Sequence, residues 1–212
     1  RILLGHSMGS LLAQHFAIEH GALLDGLVLS ATTFRTDPLP AFGAWLASQM
    51  IRWRGASHRS VLLDFLTVGV LRLMVRKRRT PFDWLSRDPA VVDAYIADPL
   101  CGNVPSVALW RAVYEGVRFI ARREHQARIP RFLPILLLAG GADPLSGGGR
   151  SVSRLAERYR SLGIADVTCR IYPGARHEIF NEINRSEVHA DLLDWLDLRL
   201  NQAAAPERTG TE

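Results

Sequence analysis

Ser7, Asp143 and His177 are the residues of this sequence whose types and spacing suit nucleophilic chemistry. Ser7 stands in Gly5-His6-Ser7-Met8-Gly9, directly after the apolar run Ile2-Leu3-Leu4. A helical pattern follows, with Leu11, Leu12, His15, Phe16 and Ile18 at gaps of three and four. Strand, sharp turn at Ser, then helix is the context in which a G-x-S-x-G segment presents an exposed nucleophile. The turn is strained. Side chains at Gly5 and Gly9 are expected to collide with neighbouring backbone, and Ser7 to occupy an unfavourable region of φ/ψ space. The amide of Met8 would then open the helix, where it can stabilise an oxyanion. Gly and Ser are common, so such a pentapeptide arises by chance in roughly one in ten chains of this size. The motif gains weight only from an acid and a histidine in the right places.

Both are present. Residues 134–139, Pro-Ile-Leu-Leu-Leu-Ala, form a continuous apolar run, as buried parallel strands do. The run ends in Gly140-Gly141-Ala142-Asp143-Pro144, which places Asp143 on a loop just past the strand. A helical stretch follows, with Val152, Leu155, Ala156, Tyr159 and Leu162 on one face. Residues 167–172 then alternate as a short strand, and Pro173-Gly174-Ala175-Arg176-His177-Glu178 leaves His177 on the loop after it. Nucleophile, acid and histidine thus follow in the order used by α/β-hydrolases, each at a strand end.

Four stretches carry a closer resemblance: Gly5 to Ser10; Leu85-Ser86-Arg87-Asp88-Pro89 running to Asp98-Pro99-Leu100-Cys101; Gly141 to Ser146; and Tyr172 to Glu178. In these the chain resembles the monoacylglycerol lipase and lysophospholipase group of serine hydrolases, often placed with the serine aminopeptidases of the S33 type. The resemblance implies an α/β fold, the C-terminal portion of a mostly parallel sheet with flanking helices and an inserted helical cap. It implies Ser7 as nucleophile, His177 as general base and then acid, and Asp143 as its orienting carboxylate, with Met8 N–H in the oxyanion hole. It implies no cofactor.

The departure is at the front. The family has an N-terminal half of several strands, with a His-Gly loop that gives a second oxyanion donor. The sequence starts inside the nucleophile strand, so the expectation is a chain lacking that part, with an unpaired apolar edge. Loss of one oxyanion donor costs about two to three powers of ten in rate, so these residues alone are expected to be poorly active.

The sequence has 48% hydrophobic and 22% charged residues, which excludes a disordered or fibrous chain. Its positive charge is local. Residues 34–131 hold sixteen Lys/Arg against eight Asp/Glu and lack α/β rhythm. The expected division is a core of residues 1–33 and 129–200, a helical cap of residues 34–128 and a polar tail of residues 201–212. Residues 61–75 form an apolar stretch closed by Arg76-Lys77-Arg78-Arg79 and too short to span a bilayer. Two readings stay open: a cap helix over an acyl pocket, or a helix resting on an anionic membrane with the basic cluster among headgroups. Four basic residues at a helix end, without a matching motif, do not indicate nucleic acid.

His6, His15 and His20 are read as structural, Glu178 as surface, and Asp191, Asp194 and Asp197 as a solvated helix face. Gly147-Gly148-Gly149 reads as a flexible lead into a helix, and no Cys/His cluster has metal-ligand spacing. Cys101 and Cys169 form no disulfide framework, Cys169 being expected buried in a strand. This favours a reduced, cytoplasmic compartment with peripheral membrane contact as the variant. Three functions compete: an esterase for monoacylglycerol-like or lysophospholipid-like substrates, an aminopeptidase or small-ester carboxylesterase, and an inactive or lipid-surface binding protein.

Overall fold

Three largely apolar runs and one alternating segment become four parallel strands in the computed structural model, which describes the backbone of residues 1–204 and the side chains of residues 1–200. The strands are β1 (Ile2–His6), β2 (Gly26–Ser30), β3 (Ile135–Gly140) and β4 (Val167–Tyr172), in the spatial order β1-β2-β3-β4. The register pairs His6 with Ser30 and Gly140 with Tyr172, so the carboxyl ends of all four strands lie along one edge. Parallel sheets expose ligand sites along that edge, because the loops leaving it converge there.

Alternation along the strands builds two cores. Leu27, Leu29, Ile135, Leu137 and Ala139 face one side, against Ala13, Ala17 and Ile18 of α1 (Met8–His20) and Val152, Leu155 and Tyr159 of α8 (Arg150–Ser161). Val28, Leu136, Leu138 and Tyr172 face the other side, against Val188 and Trp195 of α9 (Arg185–Ala204). Burial on both faces explains why residues 135–139 read as an unbroken apolar run: none of them is solvent-accessible.

Between β2 and β3 lie the helices α2 (Leu39–Arg54), α3 (Val61–Asp64), α4 (Val70–Met74), α5 (Pro89–Ala97), α6 (Val107–Ile120) and α7 (Arg123–Gln126). Ser60, Asp88 and Ser106 cap α3, α5 and α6, each accepting a hydrogen bond from a first-turn amide. A small core of Ala47, Leu63, Val107 and Trp110 holds α2, α3 and α6 together. The C-terminal end of α6 joins the main core through Ile120, so the insertion shares packing with the sheet domain.

Several local expectations change. The helix after Ser7 buries Ser10, Ala13, Gln14, Ala17 and Ile18, while Leu12 and Phe16 are exposed. Small side chains let the helix lie close on the sheet, and that outweighs the size of the apolar residues on its other side. The apolar stretch 61–75 is helical from Val61 to Met74, but a π-helical turn, Phe65–Gly69, joins α3 to α4 within it. Arg76 and Lys77 lie in a turn beyond α4, and Arg79 pairs with Asp93. Asp191 is not merely solvated; it accepts hydrogen bonds from Arg170 and Tyr172. Cys169 is partly exposed on β4. Helix α9 continues to Ala204, through the first residues of the expected tail, and residues 205–212 lie outside the described residues. Among the described residues, no helix is long and apolar enough to cross a membrane.

Candidate active site

The sharp turn at Ser7 begins with a backbone contact. Gly5, at the end of β1, is buried, and a Cβ there would overlap the carbonyl of Gly9 and the side chain of Ala13. Only glycine lets the chain fold back so tightly. Gly9 is different: nothing lies within 4 Å of where its Cβ would be, so the expected collision at this position does not occur. Gly9 contributes the carbonyl that excludes a side chain from Gly5.

Ser7 sits between them at φ 51 and ψ −120, a conformation costly for an L-residue. Its backbone is anchored at both ends. Its amide donates to the carbonyl of Ser30 at 2.9 Å, and its carbonyl accepts from Ser10 Oγ at 2.5 Å. Ser7 Oγ lies 2.8 Å from His177 Nε2, and His177 Nδ1 lies 3.2 Å from Asp143 Oδ2. Asp143 and His177 are buried, at 0% and 2% exposure, which strengthens their interaction by excluding water. The structure therefore brings the three residues together in one hydrogen-bonded chain. Met8 opens α1, so its amide belongs to the first-turn N–H groups that a helix cannot satisfy internally.

The acid and histidine loops are built to meet. A Cβ on Gly140 would overlap the carbonyl oxygens of Ala175 and Arg176, so glycine at the end of β3 admits the histidine loop. Asp143 Oδ1 accepts from the amide of Leu145 at 2.9 Å, and the Asp143 carbonyl accepts from Gly148 N and Ser146 Oγ. The Gly147-Gly148-Gly149 stretch is thus tied down by hydrogen bonds to the acid turn, with Gly149 N donating to Ser146 Oγ at 2.9 Å.

Glu178 is partly exposed, but its carboxylate is paired. Its Oε1 lies 3.1 Å from His6 Nε2, and His6 Nδ1 contacts Ser30 Oγ at 2.9 Å. Burial alone would raise the Glu178 carboxyl, but the hydrogen bond and charge of His6, with the charge of His177, outweigh it and hold the pKa below the ordinary value. His6 thus links Ser30 to Glu178, and its ring packs beside that of His177 with centroids 5.3 Å apart.

Sequence reasoning missed a second polar cluster. Glu182 is fully buried and accepts four hydrogen bonds: from the amides of Arg87, Arg176 and Ile183, and from Arg87 Nε at 2.9 Å. Arg176 donates to the carbonyls of Asp83 and Ser86, and Glu178 N donates to the carbonyl of Leu85 at 2.7 Å. Residues 83–87 therefore form a strap along the histidine loop, with the Trp84 ring 4.9 Å from that of His177. The Leu85-Ser86-Arg87-Asp88-Pro89 stretch marked this strap in the sequence, but nothing local in it pointed to Glu182.

A cavity of about 350 Å³ opens beside Ser7. Its floor holds Ser7, Met8, Leu11, Ala31 and Leu145, and its roof comes from α2, the π-turn and α6. The side chains lining it are mostly apolar, with Arg35 their single charged group.

Comparison with known proteins agrees with this architecture. A monoacylglycerol lipase of Mycolicibacterium smegmatis is 29% identical over 201 residues, covering 92% of this chain and 61% of its own length. The mouse monoglyceride lipase is also 29% identical, over 96% of this chain and 60% of its own length. The chain thus spans about 60% of the length of these curated relatives. Among solved structures, a thermostable carboxyl esterase from Bacillus coagulans superposes with a TM-score of 0.85 at 27% identity, over 92% of this chain and 64% of the esterase. A monoacylglycerol lipase of Paleococcus ferrophilus does so with 0.72 at 27% identity, over 94% of this chain and 68% of that one. The family model described as serine aminopeptidase, S33, matches residues 1–184, and the chain belongs to that family of α/β-hydrolases.

Proposed function

We propose that the protein is a serine hydrolase of carboxylic esters, acting on monoacylglycerol-like or lysophospholipid-like substrates through Ser7, His177 and Asp143. The observation that carries this reading is the hydrogen-bonded series Ser7–His177–Asp143 on the floor of an apolar cavity. Ser7 Oγ attacks the ester carbonyl while His177 Nε2 accepts its proton. Asp143 keeps the proton-bearing Nδ1 aimed away from Ser7 and stabilises the imidazolium, and the Met8 amide binds the oxyanion. His177 then protonates the leaving alcohol. Water, deprotonated by the same imidazole, attacks the acyl-enzyme and releases the acid. These steps use side chains and backbone alone.

The cavity lining favours an acyl chain over a peptide N-terminus. An aminopeptidase needs an anion to hold the substrate ammonium, whereas Arg35 is the charged side chain in the lining. A fluorophosphonate probe is expected to label the protein and to leave Ser7→Ala unlabelled. Absence of Ser7-dependent labelling would count against hydrolysis and for an inactive or binding role. A panel of acyl esters, lysolipids and aminoacyl amides then separates the esterase reading from the aminopeptidase one.

The same cap is proposed to touch lipid. Leu39, Phe42, Trp45, Leu62, Phe65 and Leu66 are all more than 40% exposed, and Leu39, Phe42 and Leu66 also line the cavity. An apolar rim at a cavity mouth, in a segment with surplus positive charge, suits an anionic bilayer surface. Flotation with vesicles containing anionic phosphatidylglycerol is expected to carry the protein, and neutral vesicles to carry less. Equal recovery with and without vesicles would remove this reading.

A further inference from the structure

We propose that Tyr114 sets how long an acyl chain the cavity holds, a specificity role that rests on the ester-hydrolase reading for the nature of the ligand. Tyr114 of α6 lines the same cavity as Ser7, so a chain attached at Ser7 shares that space with the Tyr114 ring. Its position is fixed in two ways.

The first is a directed hydrogen-bond relay. Thr67, in the π-turn, donates its one hydroxyl proton to the carbonyl of Leu63 at 2.6 Å. Its Oγ1 is then left as an acceptor, so the Tyr114 hydroxyl, 2.5 Å away, donates to it. The relay bonds α6 to the π-turn across an otherwise mostly apolar lining. π-helical turns are rare and tend to occur at functional sites.

The second is a steric slot. Gly43 lies buried inside α2, where glycine weakens a helix by about 1 kcal/mol relative to alanine. A Cβ there would come within 2.5–2.7 Å of three carbons at the tip of the Tyr114 ring. The missing side chain is the space the ring occupies. Held between Gly43 and Thr67, the ring is a rigid wall and not a side chain free to swing from an incoming ligand.

The volume gives the limit. A methylene takes about as much room as a water molecule, ~30 Å³. A cavity of about 350 Å³ therefore holds on the order of a dozen carbons. Beyond that length, added carbons stay in water and contribute nothing.

The test measures binding, so it does not depend on turnover. Unbranched fatty acids of graded length displace a fluorescent fatty acid from the protein, each below its micellar concentration. Affinity is expected to rise about fourfold per added carbon and then to level off near a dozen carbons. Tyr114→Ala is expected to move the plateau outward by at least about two carbons, roughly fifteenfold tighter binding of a sixteen-carbon acid. Thr67→Val, which keeps the side-chain shape but removes the acceptor, shifts it the same way by less. If Tyr114→Ala fails to fold, Tyr114→Phe, which keeps the ring and loses only the relay, is expected to shift the plateau outward by the smaller amount expected of Thr67→Val. An unchanged plateau in the folded variants, or a wild-type affinity that climbs without a plateau, overturns the proposal. Loss of Ser7-dependent labelling with the length plateau intact would instead overturn the hydrolase reading alone.

Discussion

Asp143→Asn is expected to lower ester turnover by about four powers of ten while leaving the fold intact. The size of the effect follows from which oxygen does what. Asp143 Oδ1 already accepts from the amide of Leu145. An asparagine must keep its carbonyl oxygen there, because its NH2 group cannot face a second N–H. The NH2 group is then forced toward His177 Nδ1, which has to accept the bond. The imidazole proton moves to Nε2 and points at Ser7 Oγ, the atom whose proton the imidazole should take. The base is present, correctly placed and in the wrong tautomer. The change is isosteric, so thermal unfolding should shift little, and kcat should fall with KM nearly unchanged. Turnover within tenfold of the parent would show that Asp143 does not orient His177.

The parts of this site that sequence reasoning reaches are those with local signatures. Ser7 announces itself by glycines two residues away on either side. Asp143 and His177 follow because each lies just beyond a strand, and strands buried on both faces, such as β3, read as apolar runs. What fails is whatever depends on partners far along the chain. Arg87 and Glu182 are separated by 95 residues, and no periodicity connects them. Glu178 reads as solvated because an acid after a loop histidine usually is, yet His6 arrives from β1 to pair with it. The face of α1 is misjudged for another reason. Side-chain size predicts burial on average, but close packing of a helix on a sheet selects Ala13 and Ala17 over Leu12 and Phe16. The π-turn between α3 and α4 is similarly invisible, since it alters the register of the helix without altering its apolar composition. The family resemblance in residues 85–89 marked a segment that matters without saying how. The fold supplies the reason: it is the strap that lies along the histidine loop.

That strap underlies the largest expected loss of stability. Glu182→Ala is expected to destabilise the protein by about 3–5 kcal/mol, because it leaves the Arg87 guanidinium without its buried counter-charge. Three backbone amides lose their acceptor at the same time. Against a total stability of about 5–15 kcal/mol, such a change moves the urea midpoint far to lower concentration. Glu182→Gln offers no escape. Oε1 accepts from the amides of Arg87 and Arg176, and Oε2 accepts from Arg87 Nε and the amide of Ile183. Whichever oxygen becomes NH2 meets two donors, so this near-isosteric change should also be costly. A functional consequence follows from chain position. Arg176 precedes His177, so loosening its amide and the strap carbonyls it holds lets the imidazole drift from Ser7 Oγ. Fluorophosphonate labelling of the folded Gln variant should therefore be slower, although no altered atom touches the triad. A urea midpoint and labelling rate equal to those of the parent would show that the strap is held by its other contacts, the Arg176 bonds to Asp83 and Ser86 among them.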